Sequence, residues 1–169
     1  MKVYIAGKIG TESELEMLER VDRLCKSFGF STFLPHRDVG IAKGIEDADR
    51  IFKGDIIEGF KDIKLVIAVL DGLHVGAGTA WELGYAYAKG IPAIGLKTDE
   101  SKEEALEYLS SILIGSMPIV SSFEESPLKS PAAYARFRRR GRADHRSSLR
   151  SLYRGPAFPP TKLRCASVP

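Results

Sequence analysis

The stretch KLVIAVLDGLHVGAGTAWELGYA, residues 64–86, decides the fold of this chain. Its opening apolar run, 65–70, is typical of a central strand that helices cover on both faces of a parallel sheet. A glycine-containing loop follows at 71–78, and helical periodicity begins near Thr79. Strand, loop and helix in this order predict one unit of an α/β domain, with the loop at the carboxyl edge of the sheet.

The same alternation extends in both directions from this stretch. We predict strands at 2–6, 30–34, 64–70, 91–96 and 118–120, and helices at 11–28, 45–60, 79–89 and 101–113. Alternation of this kind favours parallel strands joined by right-handed crossovers. The predicted fold is therefore an α/β, doubly wound, five-stranded parallel sheet of the flavodoxin-like kind, over residues 1–125. Ligands of such sheets bind beyond the carboxyl ends of the strands.

Charge divides the 169-residue chain into a body and a tail. Residues 1–130 carry 15 basic and 21 acidic side chains, whereas 131–169 carry 10 basic and one acidic. An acidic body lacks the basic face that a nucleic-acid partner requires. The Arg-rich segment 126–169 has no apolar periodicity, and we predict a disordered appendage without a role in the chemistry. An RNA- or membrane-binding arm is the alternative for this tail.

Other features of the sequence narrow the cellular setting. The two cysteines, Cys25 and Cys165, form neither a metal-binding spacing nor a disulfide framework. The N-terminal MKVYIAG is typical of a strand rather than a signal segment. No apolar run approaches the roughly 20 residues that span a membrane. We expect a cytoplasmic location, no membrane association, no metal and no cofactor.

Glu82 allows two interpretations. The spacing Thr79-x-x-Glu82 matches a capping box, which would make the carboxylate structural. The same position near a helix N-terminus would also keep a carboxylate ionised, as a nucleophile requires. Gly76 and Gly78 would let a ligand approach the backbone closely.

Two further acids lie where they could meet Glu82. Asp55 follows Ile51 by four residues and Phe52 by three, which places it on the inward face of the predicted 45–60 helix. Asp71 ends the central strand, where it either forms a turn or contacts a ligand. Two carboxylates at one cleft are typical of glycosidic chemistry, in which one attacks an anomeric carbon and the other assists the leaving group.

Four segments carry a resemblance to a known family: KVYIAG at 2–7, LPHRD at 34–38, GDIIEGFKDIKLVIAVLDG at 54–72 and GTAWELGYAYAKGIPAIGLKTD at 78–99. Over about residues 2–120 the chain resembles the nucleoside 2-deoxyribosyltransferases. The resemblance implies that Glu82 is the nucleophile and holds a deoxyribosyl ester. It implies that Asp55 assists departure of the base and that Tyr4 orients Glu82. It also implies a nucleoside or nucleotide substrate and a homo-oligomer in which a neighbouring subunit helps to close each site.

The resemblance leaves the acceptor of the sugar open. Transferases acting on free nucleosides usually carry an acid six residues before the nucleophile, which holds the 5′-hydroxyl, but Gly76 occupies that position here. A related branch hydrolyses deoxynucleoside 5′-monophosphates, has a small residue there, and uses a later Leu-Ser pair that Leu109 and Ser110 match. The segment GTAWELGYA is closer to the transferase branch. Both transfer to a base and transfer to water remain open.

The predicted substrate contacts lie at the carboxyl edge of the sheet or follow from the resemblance. They are Gly7, Lys8, Ile9, His36, Arg37, Asp71, Gly76, Gly78, Thr79 and Ser110. Two other functions stay open from the residues. The glycine loop partly matches that of the phosphoribohydrolases called lysine decarboxylase-like, although His74 and Val75 replace their Pro-Gly. A non-catalytic nucleotide-binding module would not require Asp55 and Glu82 to converge.

Overall fold

The computed structural model describes residues 1–101, 104, 107, 109–126 and 137. Five strands lie in this part of the chain: β1 Lys2–Ala6, β2 Ser31–Phe33, β3 Ile63–Val69, β4 Ala93–Leu96 and β5 Ile119–Val120. The α-helices of the same part are α1 Glu12–Ser27, α2 Pro35–Asp38, α3 Ala48–Phe52, α4 Ala77–Ala88 and α5 Ser111–Ser116. A 3-10 turn, Ile45–Asp47, precedes α3, and a π-helical segment, Lys53–Glu58, follows it.

The strands form one parallel sheet in the order β2-β1-β3-β4-β5. This is the predicted flavodoxin-like, doubly wound sheet, and the fold prediction is confirmed. All strands are parallel, but successive strands are added on opposite sides of β1 and β3. From β1 the chain adds β2 on one side, and from β3 it adds β4 and β5 on the other. A crevice therefore opens beyond the carboxyl ends of β1 and β3, where the loops 7–11 and 70–76 meet.

The two faces of the sheet carry separate cores. Val3 and Ile5 of β1 pack with α1 on one face. Tyr4 and Ala6 pack on the other face with the π segment and α4. This alternation follows from the period of two along a strand. It sends Tyr4 toward α4, the helix that carries Glu82.

Three elements differ from the sequence predictions. Residues 35–38, to which the sequence analysis assigned no element, form the short helix α2, since Pro35 occupies a first-turn position and presets the backbone angle. The predicted 45–60 helix is a composite of 3-10, α and π segments. The predicted 101–113 helix is interrupted, because Ser110 is extended and its Oγ accepts from the Ile112 N–H, which starts α5.

Most of the predicted tail, 126–169, lies outside the described residues. Two of its members belong to the folded body. Ser126 is buried, and Phe137 packs partly buried against the α1-side core. Within the part of the chain that the structure describes, no helix has the length and apolarity needed to cross a bilayer.

Candidate active site

A hydrogen bond between β1 and α4 organises the site. The Tyr4 O–H donates to Glu82 Oε1 at 2.7 Å. The Tyr4 ring is fully buried and stacks on Phe60 at 4.4 Å and on Phe33 at 5.3 Å between centroids. Burial, and then the Glu82 carboxylate, raise the pKa of Tyr4 far above its ordinary value, so the hydroxyl stays a donor. Tyr4 therefore fixes one oxygen of the Glu82 carboxylate, Oε1.

Glu82 is not a helix cap, so the capping interpretation is wrong. α4 begins at Ala77 with Gly76 as N-cap, and no side chain caps it among the described residues. Thr79 is already inside the helix and is 3% exposed. The helix starts two residues earlier than the sequence predicted, which moves Glu82 into the second turn. Its carboxylate then reaches Tyr4 rather than the free N–H groups of the first turn.

Asp55 comes from the π segment that follows α3. Its Oδ1 is buried and has no hydrogen-bond partner within the described residues. The Asp55 charge raises the pKa of both Glu82 and Tyr4, so Asp55 lies close enough to interact electrostatically with this pair. The π turn carries one more residue than an α turn, and such turns are frequent at functional sites. Gly54 allows the segment to pack closely, since a Cβ there would lie 2.4 Å from Val39 Cγ1.

Burial gives the two carboxyl groups unusual acidities. Burial raises the pKa of Glu82 to about 7. The hydrogen bond from Tyr4 lowers this pKa, and the Asp55 charge raises it. Burial also raises the pKa of Asp55 to about 6, against the attraction of Arg50. Two coupled carboxyls titrate as a pair, so between about pH 6 and pH 7 the pair holds one proton. Because the pKa of Glu82 is the higher one, that proton lies mainly on Glu82, and the form with Glu82 ionised beside a protonated Asp55, which glycosidic cleavage uses, is the minor one-proton form.

The glycine loop after β3 lies along the Lys8 side chain. A Cβ at Gly76 would lie 3.0 Å from Lys8 Cγ, and a Cβ at Gly72 would lie 2.6 Å from Lys8 Nζ. The Lys8 ammonium pairs with Glu14 Oε1 at 2.9 Å. Gly78 is exposed and faces open space. Lys8, Gly76 and Gly78 thus meet at the amino end of α4.

The other predicted contacts near β1 are Gly7, which has a packing role in the described structure, and Ile9. A Cβ at Gly7 would lie 2.6 Å from Leu18 Cδ2, so this glycine allows α1 to approach the sheet. Ile9 is exposed in the loop after β1.

The predicted pair in α2 is not brought to Glu82. The Arg37 guanidinium bonds Asp22 and Asp38 on the α1 side of the sheet. The His36 side chain is 10% exposed, and its Nε2 lies 3.9 Å from Glu19 Oε1, too far for a hydrogen bond. Both His36 ring nitrogens are buried without a hydrogen-bond partner in the described chain.

Asp71 and Ser110 contact residues outside the carboxylate pair. Asp71 accepts from the Thr98 N–H at 2.6 Å and from Thr98 Oγ1 at 2.7 Å. Ser110 lines a cavity with His74 and Ala80. Ala80 and Glu82 are two residues apart on α4 and therefore lie on nearly opposite faces of it. Ser110 thus lies on the far flank of α4 from the Glu82 of its own chain.

Sequence reasoning missed the residues that follow β4. Lys97 is 2% exposed and pairs with Asp99 Oδ1 at 2.6 Å. Their signal was KTD placed directly after an apolar strand, at the same carboxyl edge as the other candidates.

Sequence comparison now decides the family. The profile described as nucleoside 2-deoxyribosyltransferase matches residues 3–119, which is more than half of the chain. The chain belongs to this family. Among curated proteins, none matches the chain. The resemblance drawn from the four sequence segments is thereby confirmed, and the family match decides against the lysine decarboxylase-like alternative.

Solved structures with the same fold agree with the family. A conserved protein from Enterococcus faecalis V583 is 28% identical with a TM-score of 0.64, and the match covers 80% of this chain and 98% of that one. A 2-deoxyribosyltransferase from Bacillus psychrosaccharolyticus is 20% identical with a TM-score of 0.58, covering 74% and 89%. A CMP N-glycosidase from Clostridium botulinum is 20% identical with a TM-score of 0.50, covering 76% and 96%. Family and neighbours together support an enzyme of nucleoside N-glycosidic bonds.

The raised pKa of Glu82 predicts a pH-dependent stability change. The folded-state pKa of about 7 exceeds the ordinary 4.5, so this group stabilises the fold below about pH 4.5 and loses that contribution as pH rises through 7. Replacing Glu82 with Gln removes the loss. We expect Glu82→Gln to raise the free energy of unfolding by about 2–3 kcal/mol at pH 8 and by little at pH 4.

Denaturant unfolding at several pH values measures this difference. Glu58→Gln is the matched control, because Glu58 is exposed and pairs with Lys61 on the surface. A difference between wild type and Glu82→Gln that does not grow with pH would contradict the burial of this carboxyl group.

Proposed function

We propose that the protein cleaves the N-glycosidic bond of 2′-deoxynucleosides or their 5′-monophosphates through a deoxyribosyl ester on Glu82. The observation that carries this proposal is the convergence of Tyr4, Asp55 and Glu82, with one proton shared by two buried carboxyls near neutral pH. A non-catalytic binding module does not require such a pair, and ionising both members inside the fold costs free energy.

The chemistry follows from these three groups. Glu82 Oε2 attacks C1′ while the C1′–N bond breaks, and the bond electrons go to the base nitrogen. Asp55 gives its proton to the departing base, which leaves as a neutral molecule. The acceptor, a second base or water, then attacks C1′. Asp55 takes the acceptor's proton, and the ester bond to Glu82 breaks. Tyr4 holds Oε1 throughout and limits rotation of the carboxylate.

Intact-protein mass spectrometry tests the covalent step. After rapid mixing with a deoxynucleoside or its 5′-monophosphate and an acid quench, we expect one deoxyribosyl or phosphodeoxyribosyl group on the peptide that contains Glu82. Glu82→Gln should show no adduct and no turnover. Repeating the reaction with and without a second base separates transfer from hydrolysis. Turnover by Glu82→Gln at the wild-type rate would overturn the proposal.

The coupled carboxyls predict a bell-shaped pH profile. Activity needs the one-proton form in which Glu82 is ionised and Asp55 is protonated. The populations of both one-proton forms rise and fall together with pH, so kcat/KM should fall below about pH 6 and above about pH 7 even though this form is the minor one. In Asp55→Asn the alkaline limb should disappear, because no acid remains to be deprotonated. Its remaining limb should report Glu82 alone, at a pKa below the value of about 7 that the Asp55 charge helps to set. We expect the rate to fall by about 10²–10⁴.

Asp49→Asn is the control for this pH profile. Asp49 is an exposed acid on α3 that pairs with Lys53. It should keep both limbs and the wild-type rate. An alkaline limb that persists in Asp55→Asn would assign the proton donor to another group.

The amino end of α4 suits a 5′-phosphate. Gly76 and Gly78 bring no side-chain charge there, and the first N–H groups of a helix attract anions. The Lys8 ammonium lies beside Gly72, where a phosphate could replace its partner Glu14. A carboxylate at position 76 would instead repel a phosphate and accept a hydrogen bond from a free 5′-hydroxyl. The Gly76 environment therefore favours monophosphate over nucleoside.

Gly76→Asp should reverse this preference. A Cβ at position 76 requires only a small shift of the flexible Lys8 side chain, and Asp is a favourable N-cap, so the fold should be kept. We expect kcat/KM for the 5′-monophosphate to fall about tenfold to a hundredfold relative to the nucleoside, the worth of one charge-assisted hydrogen bond.

Gly76→Asn separates charge from size, because Asn has the shape of Asp without its charge. It should lose much less of the monophosphate activity. Steady-state kinetics with both substrates on all three proteins makes the comparison. A wild-type preference for the free nucleoside would instead favour the ordinary transferase substrate.

We also propose a homo-oligomer, as the resemblance implies. Phe52 and Trp81 contact each other between α3 and α4 and are 47% and 51% exposed. Large exposed aromatic side chains are enriched at protein interfaces. Ser110 faces away from its own Glu82, so a role for it at a phosphate requires a neighbouring subunit.

A further inference from the structure

A hydrogen-bond network after β4 holds the loop that follows β3. Asp71 accepts from the Thr98 N–H and hydroxyl. Asp99 Oδ2 accepts from the Gly72 N–H at 2.6 Å, and Lys97 Nζ donates to the Gly72 carbonyl at 3.2 Å and to Asp99 Oδ1 at 2.6 Å. We call Asp71, Gly72, Lys97, Thr98 and Asp99 the Lys97 network. It bonds both backbone groups of Gly72.

The position of Gly72 matters for Lys8. Gly72 has a φ of +87°, a conformation that glycine adopts without strain. The Lys8 side chain runs along the loop, with its Cγ beside Gly76 and its Nζ beside Gly72. A side chain at either glycine would contact Lys8. The loop therefore lies along the side chain of Lys8, whose ammonium pairs with Glu14.

The Lys97 network contributes little to the stability of the fold. Lys97 is 2% exposed, and a buried charge pair is a weak source of stability compared with apolar packing. Burial of Asp99 opposes its ionisation, but the hydrogen bonds from Lys97 and from the Gly72 N–H hold the pKa of Asp99 below its usual range. The network therefore keeps a charged, directional contact at the edge of the candidate site, where loop geometry decides ligand contact.

We propose that Lys97, Thr98 and Asp71 are positioning residues that fix the 71–78 loop and, through it, Lys8 and the amino end of α4 for the 5′ end of the substrate. This inference rests on the proposed function for its substrate. Asp71 then acts through Thr98 and does not contact substrate. The 71–78 loop is connected to β3 through the backbone, and hydrogen bonds of the Lys97 network connect it to the end of β4.

Two threonines make a matched test. Thr98→Val removes the hydroxyl that donates to Asp71. Thr32→Val removes a hydroxyl that donates to Asp22, in a comparable strand-to-carboxylate contact on the α1 side of the sheet. Lys97→Met removes the ammonium and keeps the length of the side chain. Hydrogen exchange of the 71–78 amides and the KM for deoxyadenosine 5′-monophosphate are measured for all four proteins.

We expect the 71–78 amides to exchange about tenfold faster in Thr98→Val and Lys97→Met, the worth of one lost hydrogen bond. The KM should rise about tenfold or more, while both limbs of the pH profile stay in place because Glu82 and Asp55 are untouched. Thr32→Val should lower the melting temperature without changing loop exchange or KM.

Unchanged loop exchange in Thr98→Val overturns the inference, even if Lys97→Met does not fold. An equal rise in KM in Thr32→Val overturns it as well, since the effect would then be one of general stability. If no deoxynucleoside or monophosphate is turned over, the proposed function fails. Faster exchange confined to 71–78 would then still support the positioning of the loop.

Discussion

One hydrogen bond, from the Tyr4 hydroxyl to Glu82 Oε1, links the centre of the sheet to the helix that crosses it. Tyr4 can make it because β1 lies between β2 and β3 and alternates its side chains between two cores. Glu82 can accept it because α4 begins early, at Ala77, and carries the carboxylate into its second turn. The sheet order, the helix start and the aromatic packing around Tyr4 all converge on this contact.

That contact has an energetic cost. Burial raises the pKa of both Glu82 and Asp55, so near neutral pH the folded protein holds a proton that the unfolded chain would release. Apolar packing elsewhere must offset this penalty. The two cores, one on each face of the sheet, supply that packing. Local instability at a functional site, compensated by the rest of the fold, is a general expectation for enzymes.

The parts of the molecule that repeat a simple period could be predicted from sequence. The continuous run at 65–70 predicted the central strand, and the alternation of elements predicted a parallel, doubly wound sheet of five strands. Asp55 and Glu82 could be singled out from their spacing, while the role of Tyr4 came from the resemblance. What periodicity cannot encode is an irregular backbone or a long-range polar contact.

The misses follow from that limit. The interruption at Ser110 has no glycine or proline beside it, and Gly54 in the π segment does not by itself tell a π turn from an α turn. Arg37 reads as a cleft residue, yet Asp22, fifteen residues earlier, draws its guanidinium to the α1 side of the sheet. Lys97 is charged and would ordinarily be exposed, and its burial depends on Asp99 and a backbone carbonyl after β3.

The π segment at Lys53–Glu58 allows a mutation that removes the catalytic arrangement but preserves the fold. A single-codon deletion within it would restore a regular α-helix, which the backbone adopts more readily. Each residue of an α-helix turns the chain by about 100°, so the deletion would also rotate the side chains on one side of it relative to those on the other. A lineage could thus lose the aligned acid in one genetic event and keep a well-folded nucleoside-binding scaffold, free to acquire another use.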